Sequence, residues 1–348
     1  MDPSESPVLA LLERSKQLTY TDPNASLALA KEAAQRAHSG CTPRLQIAAL
    51  HQQMSMLFAF GQIHEGCHVL LPALVIAEAH DLEAERGDLL HHLGVAHYTL
   101  GEYSTAIDYW SDCLDLGNAQ FARETRINAH IGLGQIYFAC SRFADALRHH
   151  RLAEQWLDGH IDHELQARLC INLVADLYAL EDFAAAQVAL NKAEAITRTI
   201  QHLKYLGEVF TYKSLLALAR GQYLEANAFI QEGRHIVHFW AWGEISWHIV
   251  NGRAQQAQGQ LSAAVASFLS ALDMSKRMGC GHKIFLIHQF LAGLFREMGQ
   301  APEAEYHHRL YQENFHRLLD PQLFARLAQL EQQLRQSNPT TPTIFVPA

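Results

Sequence analysis

Proline is missing from most of this 348-residue chain: ten are present, yet none falls between Pro72 and Pro302. Inside a helix, proline removes a hydrogen bond and clashes with the preceding turn, at a cost of ~3 kcal/mol. So long a gap is what an uninterrupted series of helices requires. Period-two apolar alternation joined by hairpin turns is missing as well, which excludes a sheet protein. No apolar run approaches the ~18 residues of a membrane span. The polar, acidic start Met1-Asp2-Pro3-Ser4-Glu5 is unlike a secretory signal. Basic clusters are scarce. Lys276-Arg277 is the densest stretch in a chain of net charge −9, so neither nucleic acid nor a membrane is expected as a partner. The six cysteines show no metal or redox spacing, which fits a reducing cytoplasm. Gly-rich phosphate loops, nucleophile elbows and supported carboxylate pairs are all lacking, so the expectation is a non-enzymatic protein without a cofactor.

What the sequence does contain is a repeat. Ala106, Ala146, Ala186 and Ala226 recur every 40 residues, with Ser26 and Gly66 in register before them. Ala264 follows after 38 residues and Ala304 after 40 more. A fixed period of ~20–50 residues means stacked units, because one unit alone cannot bury its apolar face. Gly61, Gly101, Gly221, Gly259 and Gly299 stand at a helix-stop position where a residue without Cβ fits a tight turn. Each unit therefore reads as a first helix, a tight turn, a second helix and a longer loop.

The spacing predicts helix pairs at 7–18/23–37, 44–60/62–79, 83–99/103–116, 121–139/142–157, 162–179/182–198, 203–219/222–237, 244–258/260–278 and 282–298/301–318. Pro72 falls inside one of them and predicts a kink. A last helix is expected from about 321 to 335, opened by Asp320-Pro321. The organisation is thus a solenoid over 1–318, a capping or dimerisation helix over 319–336 and a disordered tail over 337–348.

The order of Leu93-Gly94, Gly101, Tyr103, Ala106 and Trp110, repeated in Leu133-Gly134, Tyr137, Phe143, Ala146 and Ala153, resembles the tetratricopeptide repeat. The resemblance covers roughly 7–318 in eight units, each longer than the family's usual ~34 residues. It implies an all-α, right-handed superhelical solenoid of about eight helix pairs plus a C-terminal helix. The long unit looks like the subclass found in bacterial signalling proteins, whose repeats bind peptides, proteins or small regulators. The stretch from Tyr306-His307-His308-Arg309 to Leu330-Glu331 is similar to the helix that joins such regions to diguanylate cyclase domains. No catalytic domain is expected to follow it here.

One column of residues is the candidate binding site. Phe58, Tyr98, Phe138 and Tyr178 recur at 40-residue intervals, one residue after the core aromatic of the first helix. In the resembled fold this column lines the concave groove, where aromatics offer large rigid area to a peptide. The alternative is packing of one first helix on the next. His51, His91, Asn128, Gln135, Arg168, Asn172 and Arg253 fall on the same face and would fix an extended backbone.

His64-Glu65-Gly66-Cys67-His68 matches HExxH and raises a second reading, a zinc-dependent hydrolase. Gly66 holds the packing position, however, which turns both imidazoles outward, and no third ligand follows. The doublets His91-His92, His149-His150 and His307-His308 point about 100° apart on a helix and cannot chelate, so no metal is expected. Phe239-Trp240-Ala241-Trp242 and Trp247 lie where the period shortens; they seal the short loop or form an exposed patch. Leu323, Leu327, Leu330 and Leu334 make a seam that caps the final pair within a monomer or pairs two chains.

Overall fold

The computed structural model describes residues 5–38, 40–114, 122–157, 162–318 and 321–336. The tail over 337–348 and the cap residue Asp320 lie outside them. The described residues form seventeen α-helices and no strand. Eight pairs follow one another: α1 (Glu5–Leu18) with α2 (Pro23–Ala37), α3 (Pro43–Ala59) with α4 (Ile63–Ala79), and α5 (Glu83–Leu100) with α6 (Tyr103–Leu114). Next come α7 (Ala122–Ala139) with α8 (Phe143–Trp156), and α9 (His163–Ala179) with α10 (Phe183–Thr199). Then α11 (Leu203–Ala219) pairs with α12 (Tyr223–Val237), α13 (Ala241–Ala257) with α14 (Leu261–Met278), and α15 (Gly281–Glu297) with α16 (Ala301–Leu318). A single helix, α17 (Pro321–Gln336), closes the series. The architecture is a right-handed superhelical solenoid.

Each periodic small residue is where two helices meet. Ser26, Ala106, Ala146, Ala186, Ala226 and Ala264 are all fully buried. A bulky side chain four positions on then enters a slot left by glycines. Trp110 of α6 is held between Gly94 of α5 and Gly132 of α7. A Cβ on Gly94 would lie 2.4 Å from its Nε1, and one on Gly132 2.6 Å from its Cζ3. His150 of α8 faces Gly134 in the same way, where a Cβ would come within 2.3 Å of Nε2. Phe268 of α14 rests on Gly252. In the second pair the roles are exchanged, with Phe58 of α3 lying on Gly66 of α4.

The turns are tighter than the sequence suggests. Gly61, Gly101, Gly221, Gly259 and Gly299 have φ between 72° and 81°, as expected, but Ser141 and Glu181 hold the same left-handed turn without glycine. Several links between pairs are equally short, turning on Asp81, Gln201 and Gly279 at φ of 52°, 54° and 73°. The expected longer loop is therefore not a general feature. Pro72 lies within an unbroken α4.

Successive turns of the superhelix touch. Gly61 lies against Ala241 and Met278, Tyr20 packs edge-on against Phe239, and Gly281 sits on the carbonyl of Leu100. Phe239 thus seals a contact between the first pair and the seventh, rather than only its own short loop. The C-terminal helix continues this stacking. Its leucines, Leu323, Leu327, Leu330 and Leu334, are buried with Tyr103, Ile107, Trp110 and Tyr137. The main partner of α17 is α6, five helix pairs back along the solenoid's own order; Tyr311 and Phe315 of α16 only flank the cluster. Of the two expectations, a cap on the final pair or a seam between two chains, the structure has neither as its main contact: the superhelical return places α6 against these leucines within one chain.

Polar contacts fix α17 there. Arg326 pairs with Asp108. The Tyr137 hydroxyl donates to Glu331, His149 Nε2 lies 3.2 Å from the same carboxylate, and His149 Nδ1 lies 3.2 Å from His130 Nδ1. Burial alone would raise the Glu331 carboxyl, but hydrogen bonds from His149 and Tyr137 outweigh it and hold the group at about 2. Burial, helped by His149, pushes His130 down to about 3.

Two predictions follow from this packing. Gly132→Ala should destabilise the protein by ~1–3 kcal/mol through overpacking against Trp110, read as a lower urea midpoint. Acid should loosen α17. Both groups have folded values below their unfolded ones, 6.5 for His130 and 4.5 for Glu331, so their stabilisation is complete above those values and is lost as pH falls. Trp110 fluorescence should report a loss beginning below pH 6.5. Glu331→Gln should remove the part that falls between 4.5 and about 2.

Candidate ligand-binding site

The first helix of each pair faces the superhelix axis. α1 and α3, α5 and α7, α7 and α9, α9 and α11, and α11 and α13 approach one another closely, as the helices on the inside of a curve must. The circuit closes where α5 meets α15. Tyr98 stacks on His282 there, with ring centroids 5.2 Å apart. The candidate site is the inner wall formed by these first helices.

Five of the predicted polar residues form one network on this wall. Gln135 donates to Asn172 Oδ1 at 3.3 Å, and Asn172 donates to the Arg168 carbonyl at 2.9 Å. The Arg168 guanidinium donates to Asn128 Oδ1 and to His91 Nε2, the latter at 2.9 Å. These bonds link α5, α7 and α9. Farther along, Arg253 of α13 donates to the Tyr178 hydroxyl of α9 at 3.1 Å. His51 of α3 meets His92 of α5, their Nε2 atoms 3.4 Å apart. Every predicted polar residue thus touches another residue of this face, across sequence separations of up to 77 residues.

The aromatic column divides. Tyr98 is buried, stacked between Tyr103 and His282. Phe58 fills the slot over Gly66, and Phe138 packs on Phe143 beside the cluster that holds α17. Tyr178 also packs on Phe183, but its hydroxyl accepts from Arg253, one of the predicted polar residues. Phe58, Tyr98 and Phe138 are thereby placed between helices.

Residues that the column did not include complete the wall. Glu208 continues the series Asp88, Asn128 and Arg168 at 40-residue spacing, and extending that column would have found it. Lys283 donates to Ser246 Oγ at 2.8 Å and lies 4.4 Å over the Trp242 ring. Tyr205 and Tyr212 stand beside Glu208. Burial pushes Glu208 up to about 7, with Lys283 opposing the rise. Asp88 is pushed up to about 6 by burial, with Glu124 and Glu85 adding to it.

The HExxH segment lies elsewhere. His64, Glu65 and His68 are exposed on α4. Among the described residues no group of three or more His, Cys, Asp or Glu side chains is arranged to hold a metal ion. No helix among them is long and apolar enough to cross a membrane. His150, half of one of the doublets, is a core residue: its Nδ1 lies 2.5 Å from Asp176 Oδ2 and its Nε2 3.2 Å from the Ile131 carbonyl. His308 in the equivalent slot is only half-buried.

The two kinds of aromatic should behave differently on substitution. Tyr98→Ala should cost ~3–5 kcal/mol, as for a buried aromatic. Tyr178→Phe, which removes one hydroxyl from Arg253, should cost only ~0.5–1.5 kcal/mol. Denaturant titration of both variants checks the assignment.

No family model and no curated protein matches this chain. Several solved structures share its fold. The apo form of RapI is 11% identical, with a TM-score of 0.55 over 78% of this chain and 98% of that one. A Rap protein complexed with competence and sporulation factor is 10% identical, with a TM-score of 0.56 over 93% and 99%. The apo form of the quorum sensor NprR from B. thuringiensis is 13% identical, with a TM-score of 0.52 over 88% and 87%. At these identities the likeness is one of fold: the chain is an α-solenoid of the tetratricopeptide type.

Proposed function

We propose that the protein is a non-catalytic scaffold whose inner wall binds a peptide, a protein segment or a small regulator, and that it serves as an adaptor or sensory module in bacterial signalling. One observation carries the reading. First helices from different pairs bring Gln135, Asn172, Arg168, Asn128 and His91 into a single hydrogen-bonded network on a half-buried surface. Core packing gains nothing from so many polar groups, whereas an extended ligand needs donors and acceptors spaced along its backbone. The likeness to a Rap protein complexed with competence and sporulation factor, and to a quorum sensor, supports the same reading.

The full-length protein, immobilised and exposed to a library of random octapeptides, should retain a subset with a shared pattern. Gln135→Ala combined with Asn172→Ala should lose that enrichment while keeping its helical circular dichroism. Retention by the double variant equal to that of the unaltered protein would contradict the proposal.

A further inference from the structure

Four cations stand on the inner wall, one on each of four consecutive first helices: Arg168 on α9, Lys204 on α11, Arg253 on α13 and Lys283 on α15. All four are half-buried, and among the described residues none has a carboxylate oxygen within 4.0 Å. Their partners are uncharged. Arg168 bonds His91 and Asn128, Arg253 bonds the Tyr178 hydroxyl, and Lys283 bonds Ser246 over the Trp242 ring. Two other half-buried cations do have carboxylate partners: Lys213 pairs with Glu194, and Arg148 reaches Asp145 and Glu331.

Unpaired charge in a partly desolvated wall is costly, and a folded protein removes it by pairing or by neutralisation. Burial does push Lys204 and Lys283 below the ordinary lysine range. The facing acids offset the cations incompletely. Glu208, which bears on Lys283, is held at about 7 by burial, while Glu164, which bears on Lys204, is mostly exposed. A cationic interior also runs against the whole chain, whose net charge is −9. Low-dielectric walls lined by one sign of charge focus its field on a ligand of the other sign.

A second observation is independent of this charge count. The buried Nε of Arg168 has no hydrogen-bond partner, and neither has Nδ1 of His91, a residue only 7% exposed. Because His91 Nε2 accepts from Arg168, its proton sits on Nδ1. Two buried N–H donors therefore have no acceptor, on adjacent side chains that are already bonded to each other.

Taking the inner wall as the binding surface, we infer that its ligand is anionic: an acidic peptide whose carboxylates pair with Arg168, Arg253 and Lys283. The test uses the full chain and two labelled peptides, one alternating glutamate with alanine and the other carrying glutamine in place of glutamate. The glutamate peptide should bind at least ~10-fold more tightly at low ionic strength, and added salt should shrink the difference. Arg168→Gln combined with Lys283→Met should abolish the discrimination. In the ligand-free protein, Lys283→Met alone should leave the melting temperature unchanged or raise it, since it removes a half-buried charge that has no carboxylate oxygen within 4.0 Å. If the double variant unfolds, Arg253→Gln provides the same comparison. Equal binding of the two peptides, or discrimination that survives in the variants, overturns the anionic assignment and leaves the binding wall standing. Failure of both peptides together with failure of the random library overturns the assignment and the binding wall alike.

Discussion

Everything in this molecule depends on how closely the two helices of a pair, and each pair and the next, can approach. That distance is set by glycine facing a bulky ring. Trp110 is clamped between Gly94 and Gly132, and either glycine gaining a Cβ would overlap the indole. The same contact returns as His150 on Gly134 and as Phe268 on Gly252. Packed interiors have no slack to absorb such overlap, so the angle between neighbouring pairs is set within narrow limits. Repetition of a fixed angle yields a superhelix of fixed curvature.

Curvature in turn produces the two long-range features. The superhelix returns on itself tightly enough for Tyr98 to stack on His282 and for Gly281 to rest on Leu100. It also carries α17 back to α6, where Glu331 binds Tyr137 and His149. Inside this return, the first helices crowd together and their polar faces meet. Arg168 of α9 can reach His91 of α5, 77 residues away, only because the curvature brings the first helices on either side of α7 toward each other. A straighter array would leave the same residues as separate surface groups.

Much of this was legible in the sequence. The 40-residue recurrence of small residues fixed the pairing of the helices, and every predicted pair is present. The polar half of the candidate site could be read by counting, because residues one period apart share a face. Asn128 and Arg168 are 40 apart and bonded. The contacts that depend on curvature could not be read. No local signal says that Leu323 and Leu327 meet α6, or that Tyr20 meets Phe239, because the superhelical pitch sums small rotations over many units. Turn chemistry misled in places: Ser141, Glu181, Asp81 and Gln201 adopt left-handed geometry that sequence rules reserve for glycine. The aromatic column also mixed two roles, since a ring between helices and a ring on the wall share one periodicity.

The central claim is that the wall made by the first helices, and not the outer surface of the second helices, receives the ligand. Photo-crosslinking from single positions decides it directly. Benzoylphenylalanine would be placed either at Tyr212 of α11, on the inner wall, or at Val188 of α10, which is 71% exposed. The account predicts that a peptide retained by the full-length protein crosslinks from position 212 and not from position 188. Crosslinking from 188 with none from 212 would contradict it.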